Sequence, residues 1–202
     1  MRLRPHDLIR LADGASPAFD APGWVRTALR ETPWMVVRRA NAPVGFVAVG
    51  VRGAERSQRH ALTIPHGAIC DVVEPEELAA LDSIRDVAAL RALAMVRPHL
   101  DDCAMPWGPT GSVGFELATG SPTVTPDSDL DLLVRAPILN EVVLQRLVDL
   151  SERLRHGPVR VDCQVETTSG AVALAELTSI GSEVLLKTSS GPDLVRLAEL
   201  LA

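Results

Sequence analysis

The segment Ser-Asp-Leu-Asp-Leu-Leu at residues 128–133 constrains the fold of this 202-residue chain more than any other. Side chains alternate between the faces of a β-strand, so Asp129 and Asp131 share one face while Leu130 and Leu132 share the other. Two carboxylates this close raise each other's proton affinity unless a cation offsets their charge, and oxygen ligands suit Mg²⁺ or Mn²⁺. The segment therefore predicts a strand buried on one face, a divalent metal site on the other, and phosphate chemistry.

A Gly-Ser pair, Gly111-Ser112, precedes this strand and supplies the other half of such a site. Glycine lets the backbone approach a ligand closely, and the amide groups that open a following helix can hold phosphate oxygens together with the serine hydroxyl. Alone, the pair would be an ordinary turn and the aspartates an ordinary acidic strand end. In this order they predict a phosphoryl-transfer site in which Gly111 and Ser112 bind the substrate's phosphates.

A second strand is predicted at residues 159–166, where valines and Cys163 alternate with Arg160, Asp162, Gln164 and Glu166. If this strand neighbours the first, their polar faces coincide and Asp162 becomes a third metal-binding carboxylate. The alternative is a surface acid on an edge strand.

Two further side chains each allow two interpretations. Lys187, in Val-Leu-Leu-Lys-Thr, is a candidate phosphate ligand at a strand end or a solvated strand residue. Trp107, just before the Gly-Ser pair, is a candidate for stacking on adenine or a core anchor. The three cysteines lack the spacing of a zinc site or a disulfide framework, so we expect reduced thiols.

Charge is distributed unevenly along the chain, whose formal net charge is −6. The first 70 residues hold ten arginines against five acidic residues, which suits an anionic ligand or partner. No apolar run approaches the roughly 20 residues that span a bilayer, and the N-terminus does not resemble a signal peptide. We therefore expect a cytoplasmic protein without a membrane partner. An acidic chain with 3% aromatic residues gives little support to nucleic-acid binding.

Hydrophobic periodicity predicts an α+β protein: a small α+β unit, a boundary near residues 70–80, then a mixed sheet with helices on one face. Predicted helices cover residues 6–11, 23–30, 86–97, 115–118, 139–155, 171–178 and a C-terminal segment opened by Pro192. Predicted strands cover residues 34–38, 44–51, 130–135, 159–166 and 183–188.

The order of these motifs, Gly-Ser, an acidic D-x-D strand and a later Asp, resembles the nucleotidyltransferase superfamily. A closer resemblance, over nearly the whole chain, lies in the segments 111–120 (Gly-Ser-Val-Gly-Phe-Glu-Leu-Ala-Thr-Gly) and 128–133 and in the opening Arg-Pro-His-Asp-Leu at residues 4–8. These resemble the malonate decarboxylase holo-acyl-carrier-protein synthases, also called phosphoribosyl-dephospho-CoA transferases. The resemblance implies a basic N-terminal domain at residues 1–75 for docking substrate or carrier, and a nucleotidyltransferase-like catalytic domain at residues 76–202.

The family resemblance also implies a reaction. Such enzymes attach 2′-(5″-phosphoribosyl)-3′-dephospho-CoA, supplied as its 5″-triphosphate, to a serine of the malonate decarboxylase acyl-carrier subunit and release pyrophosphate. Asp129 and Asp131 match the catalytic pair, Gly111-Ser112 the triphosphate loop, and Asp162 the third carboxylate. The alternatives are another nucleotidyltransferase acting on a protein or small molecule, and a non-catalytic nucleotide-binding or interaction module.

Overall fold

The computed structural model describes residues 3–15, 20–55, 57–155, 158–179 and 181–201, which hold two β-sheets. The strands are β1 (Leu8–Leu11), β2 (Trp34–Val37), β3 (Phe46–Arg52), β4 (Arg59–Pro65), β5 (Ile69–Val73), β6 (Trp107–Pro109), β7 (Leu130–Arg135), β8 (Val161–Glu166), β9 (Ala171–Ala173), β10 (Glu183–Thr188) and β11 (Gly191–Arg196). The α-helices are α1 (Gly23–Glu31), α2 (Pro75–Leu78), α3 (Ala88–Asp102), α4 (Gly111–Thr119), α5 (Glu141–Leu154), α6 (Leu174–Leu177) and α7 (Leu197–Leu200), and a 3₁₀ turn covers His66–Ala68.

The first sheet has the order β4-β3-β2-β1-β5, with every pairing antiparallel. Helix α1 covers one face, where Val25 and Leu29 join a buried cluster with Ile9, Met35 and Val49. Alternation sends the neighbouring residues to the opposite face. That face carries a row of paired residues, one from each of four strands: Leu8, Val36, Gly50 and Ala61.

The second sheet has the order β11-β10-β9-β8-β7-β6 and is mixed, because β7 and β8 are parallel while the other pairs are antiparallel. Helix α5 provides the crossover between the two parallel strands, and the Asn140 side chain caps it by accepting a hydrogen bond from the Val143 amide at 2.9 Å. Leu130, Leu132 and Val134 lie on the face that packs against α3, α5 and α6. The predicted α+β class and mixed sheet are confirmed.

The two sheets are joined by charged contacts on the faces away from these helices. Arg135 at the end of β7 lies 3.5 Å from Asp7, and its Nε donates to Glu76 at 2.5 Å. At the end of β8, Glu166 accepts two hydrogen bonds from Arg39, whose Nη1 lies 2.7 Å from Oε1. Because Asp131 and Asp162 precede these residues by four positions on the same strands, their side chains also face the first sheet.

Most predicted elements of the second sheet are confirmed, including the strands at residues 130–135 and 183–188 and the long helix near residues 139–155. Helix α3 was predicted to end at Pro98, but it continues through this proline to Asp102. The exposed side of the helix accommodates the proline, and burial of Leu100 and Cys103 holds the last turn to the core. Residues 171–178 form β9 and α6 where one helix was predicted.

One predicted helix is wrong, and another was predicted to begin too early. Residues 8–11 form β1, which pairs with strands on both sides, so tertiary pairing overrides the local pattern. The C-terminal helix was predicted to begin at Pro192, but residues up to Arg196 belong to β11, which pairs with β10 through a two-residue turn, and only Leu197–Leu200 are helical, as α7. Proline suits this position because β11 is an edge strand, where an absent backbone donor costs no ladder hydrogen bond.

Within the described ranges, no helix combines the length and hydropathy needed to cross a lipid bilayer.

Candidate active site

The two strands that carry the predicted carboxylates lie side by side. Asp131 of β7 and Asp162 of β8 are register partners in the parallel ladder, followed by the buried pair Leu132 and Cys163. Both aspartate side chains are half-buried and point to the same face of the sheet. The structure thus brings Asp162 beside the D-x-D strand, as the alternation in both segments predicts.

Burial raises the pKa of Asp131 above its usual range, and the negative charges of Asp162 and Asp129 raise it further. Arg59 and Arg52 on the first sheet act in the opposite direction. All three predicted carboxylates therefore interact electrostatically at Asp131. A nearby cation would relieve the repulsion, so the electrostatics of the site favour one.

The donor set itself can be tested against a magnesium ion. Among the residues that the structure describes, no three His, Cys, Asp or Glu side chains converge closely enough to hold a metal by themselves. Mg²⁺ is often held by one or two carboxylates together with substrate phosphates and water. The paired carboxylates of Asp131 and Asp162 fit that second arrangement.

The Gly-Ser pair opens helix α4 directly against the carboxylate site. Gly111 has φ of +59°, and a Cβ added there would lie 1.9 Å from Oδ2 of Asp131. The Thr110 amide donates to the Asp131 carbonyl at 2.9 Å, which fixes the turn to β7. Ser112 is buried, and its carbonyl oxygen accepts a hydrogen bond from the Thr123 hydroxyl at 3.0 Å. Glycine is required at position 111 because no side chain fits beside the carboxylate.

Helix α4 also holds the loop that leads back to Asp129. The buried carboxylate of Glu116 accepts hydrogen bonds from the Val124 amide at 2.8 Å and from Arg85 Nη1 at 2.6 Å. Arg85 in turn donates to the Val124 carbonyl at 3.2 Å. Glu116 was not among the predicted functional residues, although an acidic residue inside an apolar helix was the available signal.

Lys187 lies on the same face of the second sheet as the aspartates. Its Nζ donates to Gln164 Oε1 at 3.0 Å, and Gln164 Nε2 donates to Asp162 Oδ1 at 3.3 Å. The lysine side chain is exposed and lines the cleft over Asp131 and Asp162. The structure therefore places Lys187, the predicted phosphate ligand, near the carboxylates, and the side-chain amide of Gln164 connects it with Asp162.

Two adjoining cavities lie between the sheets. A cleft of about 740 Å³ contains Asp131, Asp162 and Lys187. A second cavity of about 370 Å³ lies between the start of α4 and the face of the first sheet that is opposite α1. The cavities share a wall formed by His6, Val36, Arg38, Arg59, Thr110 and Gly111.

The charged residues of the N-terminal segment have different positions. Arg38 and Arg59 are exposed and line both cavities. Arg39 is 15% exposed and is occupied by its ion pair with Glu166, so it joins the sheets. Arg59 was not among the predicted functional residues, because only its position across the cleft connects it with the aspartates.

The remaining motif residues are buried or shape the cleft. Trp107 belongs to the hydrophobic core, and its Nε1 donates to Asp101 at 2.9 Å, which favours the core-anchor interpretation over stacking on adenine. His6, with φ of +75°, lines both cavities, and burial lowers its pKa to about 4. Asp7 is buried and accepts a hydrogen bond from the Arg4 amide at 2.7 Å.

Comparison with known proteins gives matches to both halves of the chain. The model described as the phosphoribosyl-dephospho-CoA transferase MdcG N-terminal domain matches residues 4–75, and the model described as the C-terminal domain matches residues 77–198. No solved structure gives a significant match.

Curated relatives are similar over nearly their full length. Proteins named phosphoribosyl-dephospho-CoA transferase are 43% identical in Azotobacter vinelandii (95% of this chain and 92% of the relative) and 40% identical in Pseudomonas putida strain W619 (95% and 93%). The relative of that name in Pseudomonas aeruginosa is 41% identical, with 98% of this chain and 96% of the relative covered. With both family models matched and identities of this size, the chain belongs to the phosphoribosyl-dephospho-CoA transferases, a family of transferase enzymes.

Proposed function

We propose that this protein transfers 2′-(5″-phosphoribosyl)-3′-dephospho-CoA from its 5″-triphosphate to a serine of the malonate decarboxylase acyl-carrier subunit. The serine oxygen would attack the α-phosphorus, the bond to the bridging oxygen of the β-phosphate would break, and pyrophosphate would leave. The product is a phosphodiester. The observation that carries the proposal is the pairing of Asp131 with Asp162 directly beside Gly111, in a member of this family.

We propose that Asp131 and Asp162 would hold Mg²⁺ or Mn²⁺ together with phosphates of the donor, and that Asp129, on the same D-x-D segment, would join them once the donor is bound. Such an ion would neutralise charge that gathers on the phosphate oxygens during transfer. Asp162, the register partner of Asp131, is also a proposed acceptor of the proton that the attacking hydroxyl loses.

The phosphates of the donor would be held by groups on both sides of the cleft. We propose that backbone amides at the start of α4 serve here, where Gly111 lines the cleft and the buried Ser112 follows it, together with the ammonium group of Lys187 on β10. Arg38 and Arg59 of the basic N-terminal segment line the same cleft from the opposite sheet. We propose that this segment orients the triphosphate over the aspartates, because guanidinium groups bind phosphate oxygens in bidentate fashion.

The experiment that tests this proposal is mass spectrometry of the apo acyl-carrier subunit after incubation with the enzyme, Mg²⁺ and the triphosphoribosyl donor. We expect one added prosthetic group and one pyrophosphate for each carrier modified. A parallel reaction with ATP as donor separates this function from general nucleotidyl transfer. Modification by ATP, or none with either donor, would contradict the proposal.

A further inference from the structure

The smaller cavity extends beyond the residues that the phosphate chemistry uses. Its floor is the cross-strand row of Leu8, Val36, Gly50 and Ala61 on the helix-free face of the first sheet. Its roof includes Leu78 of α2 and Phe115 of α4. The volume of about 370 Å³ is within the range of about 300–1,000 Å³ typical of small-molecule sites.

The floor is hollow because of the residues in its row. Gly50 has no side chain, and a Cβ there would lie 3.3 Å from Val36 Cγ1 and 3.5 Å from Arg38 Cδ. Its partner Ala61 carries only a methyl group. Glycine inside a strand often marks a place where a ligand approaches the backbone. Because Gly50 and Ala61 add little or no side chain to the floor, the row leaves a slot between the sheet and α4.

The slot opens toward the reacting phosphates. Thr110 and Gly111 belong to the walls of both cavities, and Gly111 adjoins the Asp131 carboxylate. Arg38, Arg52 and Arg59 line the polar end of the cavity. A ligand that fills the slot would thus have an uncharged part among apolar side chains and a phosphate-bearing part at the aspartates.

We propose that this cavity binds the adenosine part of the donor, an inference that rests on the proposed function. In that donor the triphosphoribosyl group is attached to the adenosine ribose, so one further ribose separates the adenosine from the reacting phosphate. The pantetheine arm is longer, flexible and separated from the adenosine by a diphosphate. The adenosine is therefore the part that reaches a cavity sharing its wall with the carboxylate cleft.

The test fills the slot and measures binding without turnover. Ala61→Trp and the smaller Ala61→Leu place bulk on the floor, because the Ala61 side chain is exposed and lines the cavity. Thr63→Trp and Thr63→Leu are matched controls, because Thr63 lies two residues along β4 on the same face but outside the cavity lining. Circular dichroism of each variant establishes that the fold is retained.

Dissociation constants are measured by calorimetry for dephospho-CoA, ADP and 4′-phosphopantetheine. We expect Ala61→Trp to weaken dephospho-CoA and ADP at least tenfold and Ala61→Leu to weaken them less, while the Thr63 variants bind as wild type. 4′-Phosphopantetheine should be unaffected by all four substitutions. Unchanged ADP affinity in both Ala61 variants, selective loss of 4′-phosphopantetheine, or a wild-type protein that binds neither adenosine compound would overturn the inference.

The carrier-modification assay keeps the two proposals separate. If wild-type protein modifies no carrier but ADP affinity falls in the Ala61 variants, the proposed function fails and the adenosine site stands. If the carrier is modified and the Ala61 variants bind ADP as wild type does, the function stands and the adenosine site fails.

Discussion

Gly111 and Asp131 are in such close contact that a single methyl group at position 111 would lie 1.9 Å from the Asp131 carboxylate oxygen. The contact joins the start of the Gly-Ser helix to the first of the paired carboxylates. Two segments that are twenty residues apart in the sequence therefore form one surface, and the position of the carboxylate depends on the absence of a side chain at residue 111.

Gly111→Ala should disturb both the backbone and the carboxylate. The left-handed conformation costs a non-glycine residue about 1–2 kcal/mol, and the new methyl group must displace Asp131. We expect carrier modification to fall at least 100-fold. Gly120→Ala is the matched control, since φ is +72° there but nothing lies within 4 Å. It should lose similar stability in urea unfolding and keep its activity; equal activity losses in the two variants would contradict this assignment.

The carboxylate pair should couple magnesium binding to stability. Asp131→Asn and Asp162→Asn each remove one of two neighbouring negative charges, so we expect higher thermal stability than wild type in metal-free buffer. Mg²⁺ at ten times its Kd should stabilise wild type by about 1.4 kcal/mol and the variants by much less. Carrier modification should fall by about 10²–10³-fold or more.

Scanning calorimetry with and without Mg²⁺ measures these effects, and Asp193→Asn is the control because Asp193 is exposed on the edge strand β11. A magnesium-dependent increase in Tm that is the same in wild type and both variants would rule out this pair as the metal site.

Local sequence patterns were sufficient to predict the two strands that carry the aspartates. Alternation in residues 130–135 and 159–166 fixed which side chains lie on the polar face, and the helix between them favours a parallel crossover. The positions of Asp131 and Asp162 therefore follow from period-two patterns. The close approach of Gly111 does not, because it depends on the angle between α4 and the sheet.

The errors and omissions arise where distant contacts decide the structure. The segment at residues 8–11 is a strand because β2 and β5 supply hydrogen bonds on both sides, and those partners lie 20 or more residues away. The position of Arg59 across the cleft and the cavity near Gly50 both result from the packing of the first sheet over the second. Local periodicity contains no information about how two sheets face each other.

The ion pair between Arg39 and Glu166 should contribute to holding the sheets together. Both side chains are largely buried, at 15% and 13% exposure. Arg39→Ala or Glu166→Ala leaves one buried charge without its partner, so we expect each to cost about 3 kcal/mol. The double variant should cost less than the sum of the two, because neither charge is then left alone.

Urea unfolding of the full double-mutant cycle measures the coupling. The pair of Arg91 with Asp86 is the control, since it is 55% and 82% exposed and should contribute less than about 1 kcal/mol. Additive losses at Arg39 and Glu166 would show that the pair has no stabilising interaction.

Glu116 should position the loop that precedes Asp129. Glu116→Ala removes the acceptor for the Val124 amide and for Arg85, which should cost about 1.5–3 kcal/mol. Because the loop then loses its anchor, kcat for carrier modification should fall more than KM rises. Glu116→Gln should restore part of the stability and part of kcat, since its side-chain oxygen can still accept a hydrogen bond from the Val124 amide. Asp149→Ala, at an exposed helix position, should change neither; a Glu116→Ala variant with unchanged kcat would refute the positioning role.

His6 should make stability depend on pH. Burial lowers its pKa to about 4, an effect that Arg39, Arg135 and Lys187 reinforce and Glu166 opposes. Between pH 4 and 6.5 the unfolded chain therefore binds a proton at His6 that the folded chain does not, so this contribution to stability rises with pH. Burial raises the pKa of Asp7 to about 6, so the contribution of Asp7 to the free energy of unfolding falls as the pH rises from 3.8 to 6.

Comparison with His6→Asn isolates the histidine, because asparagine tolerates the left-handed backbone at φ of +75° and does not titrate. In urea unfolding from pH 4.5 to 7.5, wild-type stability minus variant stability should increase with pH by on the order of 2 kcal/mol, while the Asp7 contribution cancels. Parallel curves for wild type and His6→Asn would mean that His6 titrates in the folded protein as it does in the unfolded chain, and that its burial between the two cavities has no electrostatic consequence.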